Sequence, residues 1–169
     1  LPIQRRFFEH PLVRRHHWNQ STFVSVPDDF DMDRFSRALQ AVVSHHDAFR
    51  LRFRQVGDQW LQAYEEPSGP VPCERVTAQD MEPTIDRVQA GLDITDGPVL
   101  RAAFFEARRR LLIVAHHLVV DAVSWRILLD DLTAAYEGRP LGAPTTPLRT
   151  WSERLTARTP ALAYWAPLR

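Results

Sequence analysis

The chain has 169 residues, with 21 basic and 21 acidic side chains that cancel to zero formal charge, and it is 44% hydrophobic and 25% charged. That length and balance fit one folded domain with a real core and argue against disorder and against a nucleic-acid binder, which would carry a basic face. The start has no signal-peptide core and no apolar run approaches the ~18 residues of a membrane helix, so the expectation is a soluble cytoplasmic domain that meets no membrane.

Every basic residue is arginine, and the runs Arg5-Arg6, Arg14-Arg15 and Arg108-Arg109-Arg110 are short and scattered. Such runs read as solvated surface. Cys73 is the single cysteine. It can form no intrachain disulfide and reads as an inert thiol.

In chain order, Leu1 to His10 carries Ile3, Phe7 and Phe8 at helical spacing with Pro2 near its start. A strand follows around Ser21 to Val26, apolar on both faces, as a sheet covered on two sides needs. Asp31 predicts an N-cap for a helix to about His46, with Phe35, Leu39, Val42 and Val43 on one stripe. Leu51 and Phe53, Gly57-Asp58, then Trp60-Leu61 predict a hairpin. Glu65 to Pro72 is a loop by composition. A helix is expected from about Pro83 to Leu92, then a long hairpin of Val99 to Glu106 and Leu111 to His116. A largely buried helix is expected from about Ser124 to Tyr136, then a Pro- and Gly-rich connector from Gly138 to Thr146. Trp151, Leu155, Tyr164 and Trp165 in the tail are large apolar groups that need something to dock onto. The order is that of an α+β or mixed α/β sandwich.

The densest chemistry lies in His116-His117-Leu118-Val119-Val120-Asp121-Ala122-Val123-Ser124-Trp125. Neighbours on a strand point to opposite faces, so the two histidines share a cavity only if the strand breaks between them. For the same reason His-His-Asp does not read as a metal site. One histidine facing a channel and the other packed in the scaffold fits better. A histidine is the natural general base near neutral pH, yet the bare residues allow a packed core histidine equally well. Asp121 has two readings: it orients the histidine, or it pairs with Arg101, a charge on an otherwise apolar strand. The ion pair is the preferred one. Ser124 reads as an N-cap or as a donor to a developing oxyanion. His16 and His17 line the channel, or else pack or lie at the surface, whereas His45 and His46 suit the end of a helix dipole. Trp60, Trp151 and Trp165 read as packing.

The segment His116 to Asp121 matches the His-His-x-x-x-Asp core of the condensation-domain superfamily, which includes chloramphenicol acetyltransferase-like acyltransferases. Pro2-Ile3-Gln4 with Phe7-Phe8-Glu9, His16 to Ser21, Ser44 to Arg50, and Leu111 to Leu132 all resemble the epimerization subtype of nonribosomal peptide synthetases. The resemblance covers essentially the whole chain. It implies a chloramphenicol acetyltransferase-like lobe with a mixed sheet flanked by helices. Residues 1–169 then form the amino-terminal lobe, with about 138–169 leading toward a second lobe. It also implies that His117 is the catalytic base, beside His116 and Asp121, and that Arg101 and Asp121 form a structural ion pair. The implied substrate is an aminoacyl or peptidyl thioester on the phosphopantetheine arm of a peptidyl carrier protein, with no cofactor beyond that arm. The implied reaction is inversion of the α-carbon; amide formation by a condensation lobe, or a non-catalytic docking module, are the alternatives. Ala122 departs from the family's usual glycine, which would strain a turn needing positive φ.

Overall fold

The computed structural model describes residues 1–66, 69–77 and 81–157. Helix α1 (Pro2–Glu9) opens the fold with proline in its first turn, where a missing N–H costs nothing. Strand β1 (Asn19–Ser25) leads to α2 (Met32–His45), which begins where the sequence places a cap. The Asp31 carboxylate accepts the backbone N–H groups of Asp33 at 2.8 Å and Arg34 at 2.9 Å. Strands β2 (Leu51–Val56) and β3 (Gln59–Tyr64) form a separate hairpin. Gly57 turns it at φ +61°, a conformation that favours glycine.

The main sheet is built from β4 (Cys73–Val76), β5 (Leu100–Phe105) and β6 (Arg110–His116) together with β1, in the order β1-β6-β5-β4. β6 pairs antiparallel with both neighbours, whereas β4 runs parallel to β5. The crossover between those parallel strands is α3 (Glu82–Ala90). Helix α4 (Ala122–Tyr136) follows β6, and α5 (Leu148–Ala157) follows the connector. This is the mixed sheet flanked by helices expected from the sequence.

Strand alternation divides the core in two. Leu100, Ala102, Phe104, Leu111, Ile113 and Ala115 join Leu39 and Val42 of α2 and Leu128 and Leu132 of α4 in one cluster. Ala103, Phe105, Leu112 and Val114 form the other with Val88 of α3. Each fully buried Leu, Ile, Val or Phe contributes roughly 1.5–3 kcal/mol. A central strand buried on both faces therefore anchors whatever sits at its end. That end is His116.

Two helix boundaries that bear on the core and the site differ from expectation. α3 stops at Ala90, although Leu92 and Ile94 are still buried beyond it. α4 starts at Ala122, because Asp121 and not Ser124 is the capping residue. Ala122 therefore has ordinary helical backbone, where alanine in place of glycine costs little; Arg109 is the positive-φ non-glycine among the described residues. Cys73 lies in β4, where burial pushes its thiol up to about 12. Trp151 is half exposed on α5, while Tyr164 and Trp165 lie outside the described residues.

Candidate active site

β6 ends at His116 and the chain turns at once, so the two histidines part company. The Val119 N–H donates to the His116 carbonyl at 3.0 Å, and the His117 N–H donates to the Trp18 carbonyl at 2.9 Å. His116 is fully buried, with the Phe7 ring edge-on at 5.8 Å. Its Nε2 lies 2.7 Å from the Arg15 carbonyl oxygen. A carbonyl oxygen only accepts, so Nε2 carries the proton and Nδ1 accepts the Leu118 N–H at 3.2 Å. Burial pushes the His116 pKa down to about 4, only partly opposed by the bond to Arg15. His116 is a neutral structural group.

His117 faces a cleft of about 960 Å³ whose walls include Phe7, Trp18, Phe49, Ile127 and Trp151. Its Nδ1 lies 2.9 Å from the Val120 carbonyl oxygen, so in the neutral ring Nδ1 carries the proton. Its Nε2 lies 3.2 Å from the side-chain nitrogen of Gln20. The Trp125 indole N–H donates to the other end of that amide, Gln20 Oε1, at 2.9 Å. Trp18 stacks over the His117 ring at 6.4 Å between centroids with 10° between planes. The neutral Nε2 is thus the nitrogen with a lone pair, as a general base requires.

Asp121 does not touch this ring. Its Oδ1 accepts the Ser124 N–H at 2.8 Å and the Ser124 hydroxyl at 2.7 Å. Those two bonds hold the Asp121 carboxyl below the usual carboxylate range. The partner of His117 Nδ1 is the Val120 carbonyl, so the triad-like alternative for Asp121 is not formed. The Ser124 hydroxyl proton is committed to the cap, although Ser124 and Asp121 both line the cleft.

The expected ion pair of Arg101 and Asp121 is not formed either. Arg101 donates to the Gly91 carbonyl at 3.0 Å, and a Cβ at Gly91 would collide with its guanidinium. The reason is strand parity. Arg101 alternates with Leu100 and Ala102 and shares a face with Ala103 and Phe105, toward α3, whereas α4 packs on the opposite face.

His16 does not line the cleft; it accepts the Ile94 N–H at 3.1 Å and sits 3.1 Å from Asp93. His17 is also absent from the walls, and its Nδ1 is buried without a partner. At the end of α2, His46 Nε2 is 2.7 Å from Asp131 Oδ2, with His45 edge-on beside it. Ligand-type atoms of these three residues lie within 4.8 Å of one another, an arrangement that no spacing in the sequence announces. The His46–Asp131 contact is complete as an ordinary hydrogen-bonded pair.

Sequence reasoning alone does not single out Gln20, Trp18 and Trp125 as site residues. β1 and β6 pair with Gln20 opposite Ala115, which places Gln20 and His117 on one side of the sheet. Only that register reveals the contact.

The family model described as the condensation domain matches residues 1–168. The chain is 42% identical to a linear gramicidin synthase of Brevibacillus parabrevis over 97% of its own length, and spans 4% of that protein. It is 36% identical to surfactin synthase subunit 2 of Bacillus subtilis (strain 168) over 92% of its length, spanning 5% of that relative. Among solved structures, the epimerization domain from the third module of a tyrocidine synthetase aligns with TM-score 0.87 and 32% identity, covering 99% of this chain and 43% of that one. The starter condensation domain of rhizomide synthetase aligns with TM-score 0.76 at 18% identity, covering 98% and 46% of the two chains, a likeness of fold.

Proposed function

The chain belongs to the condensation-domain family, found in nonribosomal peptide synthetases, and from that premise we propose that it is the amino-terminal lobe of an epimerization domain. The substrate on this reading is an aminoacyl or peptidyl thioester carried on the phosphopantetheine arm of a peptidyl carrier protein. Its partners are that carrier protein and a second lobe of the same domain. The observation that carries the reading is His117 on the cleft wall with Nδ1 protonated toward Val120 and Nε2 as the basic nitrogen.

A thioester acidifies its α-hydrogen. Nε2 of His117 takes that proton: the C–H bond breaks, an N–H bond forms, and the electron pair moves into the thioester as an enolate. The amino end of α4 lines the same cleft, and the positive end of its dipole favours negative charge there. Ser124 contributes through this helix end, since its hydroxyl is bound to Asp121. Reprotonation from the opposite face inverts the centre and needs a group supplied by the second lobe. Amide formation by the same histidine is the competing reading, supported by the likeness of fold to a condensation domain.

The deciding experiment is solvent-hydrogen exchange at the α-carbon of a carrier-bound thioester, followed by mass spectrometry in heavy water with a domain holding both lobes. His117→Ala lowers exchange by about 10²–10⁴-fold, the usual worth of a positioned base. Full exchange by that variant overturns the mechanism. Amide formation with no exchange in the parent moves the assignment to condensation.

A further inference from the structure

We propose that Gln20 is a positioning residue that acts with the Val120 carbonyl to fix which nitrogen of His117 is basic, with Trp125 as its anchor. An indole N–H only donates, so the end of the Gln20 amide that meets Trp125 Nε1 at 2.9 Å is the oxygen. The amide nitrogen is thereby turned toward His117, 3.2 Å from Nε2. An amide N–H donates and a carbonyl accepts, so the two contacts of the ring agree. Nε2 must present a lone pair to Gln20, and Nδ1 must present a proton to the Val120 carbonyl 2.9 Å away. Rotating the amide by half a turn, or moving the imidazole proton to Nε2, sets donor against donor and acceptor against acceptor. The chain Trp125–Gln20–His117–Val120 has one consistent assignment.

The three side chains come from separate elements, β1, the turn after β6, and α4, so the arrangement is not a by-product of local sequence. Without Trp125 the Gln20 amide is free to flip, and its oxygen would then call a proton onto Nε2. The Gln20 N–H also covers the lone pair in the resting domain, so an arriving α-carbon displaces it.

This inference rests on the base assignment above, and its test is separable from it. The chain is labelled with nitrogen-15 at histidine, and imidazole tautomers are read from the ring nitrogen shifts. The parent shows His117 with an unprotonated Nε2 in its neutral form, and His116, buried with the opposite bonding, with an unprotonated Nδ1. In Gln20→Glu, a carboxylate accepts from both Trp125 and the imidazole, so Nε2 of His117 is protonated while Nδ1 keeps its proton toward Val120, the imidazolium pattern. Gln20→Ala and Trp125→Phe move the His117 shifts part of the way toward the other tautomer, with the Val120 carbonyl still favouring a proton on Nδ1. His116 keeps its signature in every folded variant; if Gln20→Glu loses it, the other two variants carry the test. A His117 pattern unchanged in folded variants overturns the proposal whatever their activity. In a domain with both lobes, Gln20→Ala lowers the exchange kcat by on the order of tenfold with little change in KM, a loss of alignment and not of binding. Should His117→Ala retain full exchange while the tautomers respond to Gln20, the base assignment falls and the positioning stands.

Discussion

Two neighbouring residues of one type, His116 and His117, occupy opposite regimes. Around His116 the protein is dry and closed: Phe7 covers the ring, and both nitrogens are satisfied by main-chain groups. Around His117 it is open, with a cleft on one side and side-chain partners on the other. The proton sits on Nε2 in the first and on Nδ1 in the second. The residue type therefore sets what chemistry is possible, and one step along the chain decides which use is made of it.

The sharpest way to break that comparison is to truncate each ring in turn. His116→Ala leaves a cavity and two unpaired main-chain groups in a dry site, a loss of about 3–4 kcal/mol. His117→Ala removes an exposed ring and costs under about 1 kcal/mol. Urea unfolding of both variants checks this, and equal losses would erase the distinction between scaffold and site.

Acidification probes the buried side. With His116 near 4 in the folded chain and an ordinary value near 6.5 unfolded, the unfolded chain binds the extra proton between those limits. Its stabilising contribution is complete above about pH 6.5 and is lost as pH falls toward 4, amounting to about 2 kcal/mol by pH 5. The pH dependence of unfolding is accordingly flatter by that amount in a His116→Gln variant. A parallel curve would remove the dry-site interpretation.

The smallest effect sharpens the role of the acid between the histidines and α4. Asp121 caps a helix and holds no buried arginine, so Asp121→Ala costs about 1 kcal/mol, and Asp121→Asn, which still accepts from Ser124, costs less. Thermal unfolding of the two variants separates a cap from an ion pair; a loss near 4 kcal/mol in Asp121→Ala would restore the pairing expected from sequence.

Much of the architecture is legible in the sequence because its signals are local. Asp31 ahead of a periodic stripe, Gly57-Asp58 between two apolar runs, and strand alternation at His116-His117 each carry a short-range cause, and each element appears where the pattern puts it. Asp121 is open to a local reading too, since an acid three residues before Ser124 is a capping pattern. The attraction of a buried charge pair points to Arg101 instead. Parity argues against that pairing, because Arg101 falls with Ala103 and Phe105 on the face away from α4. Gln20 and Trp125 are out of reach for a different reason: neither titrates, and their contact depends on the register of β1 against β6.

The distances along the chain that these contacts span have a consequence for assembly. Gln20 meets His117 across 97 positions and Trp125 across 105. Bringing such distant segments together carries the loop-closure entropy of more than half the chain, and no local bond compensates it in advance. A growing polypeptide that has just released His117 holds both strands of the pair but not yet the indole that orients the amide. The Gln20 amide is therefore oriented toward His117 only after the first turns of α4 have been made and docked, so this corner of the cleft is completed late, once the scaffold around it is in place.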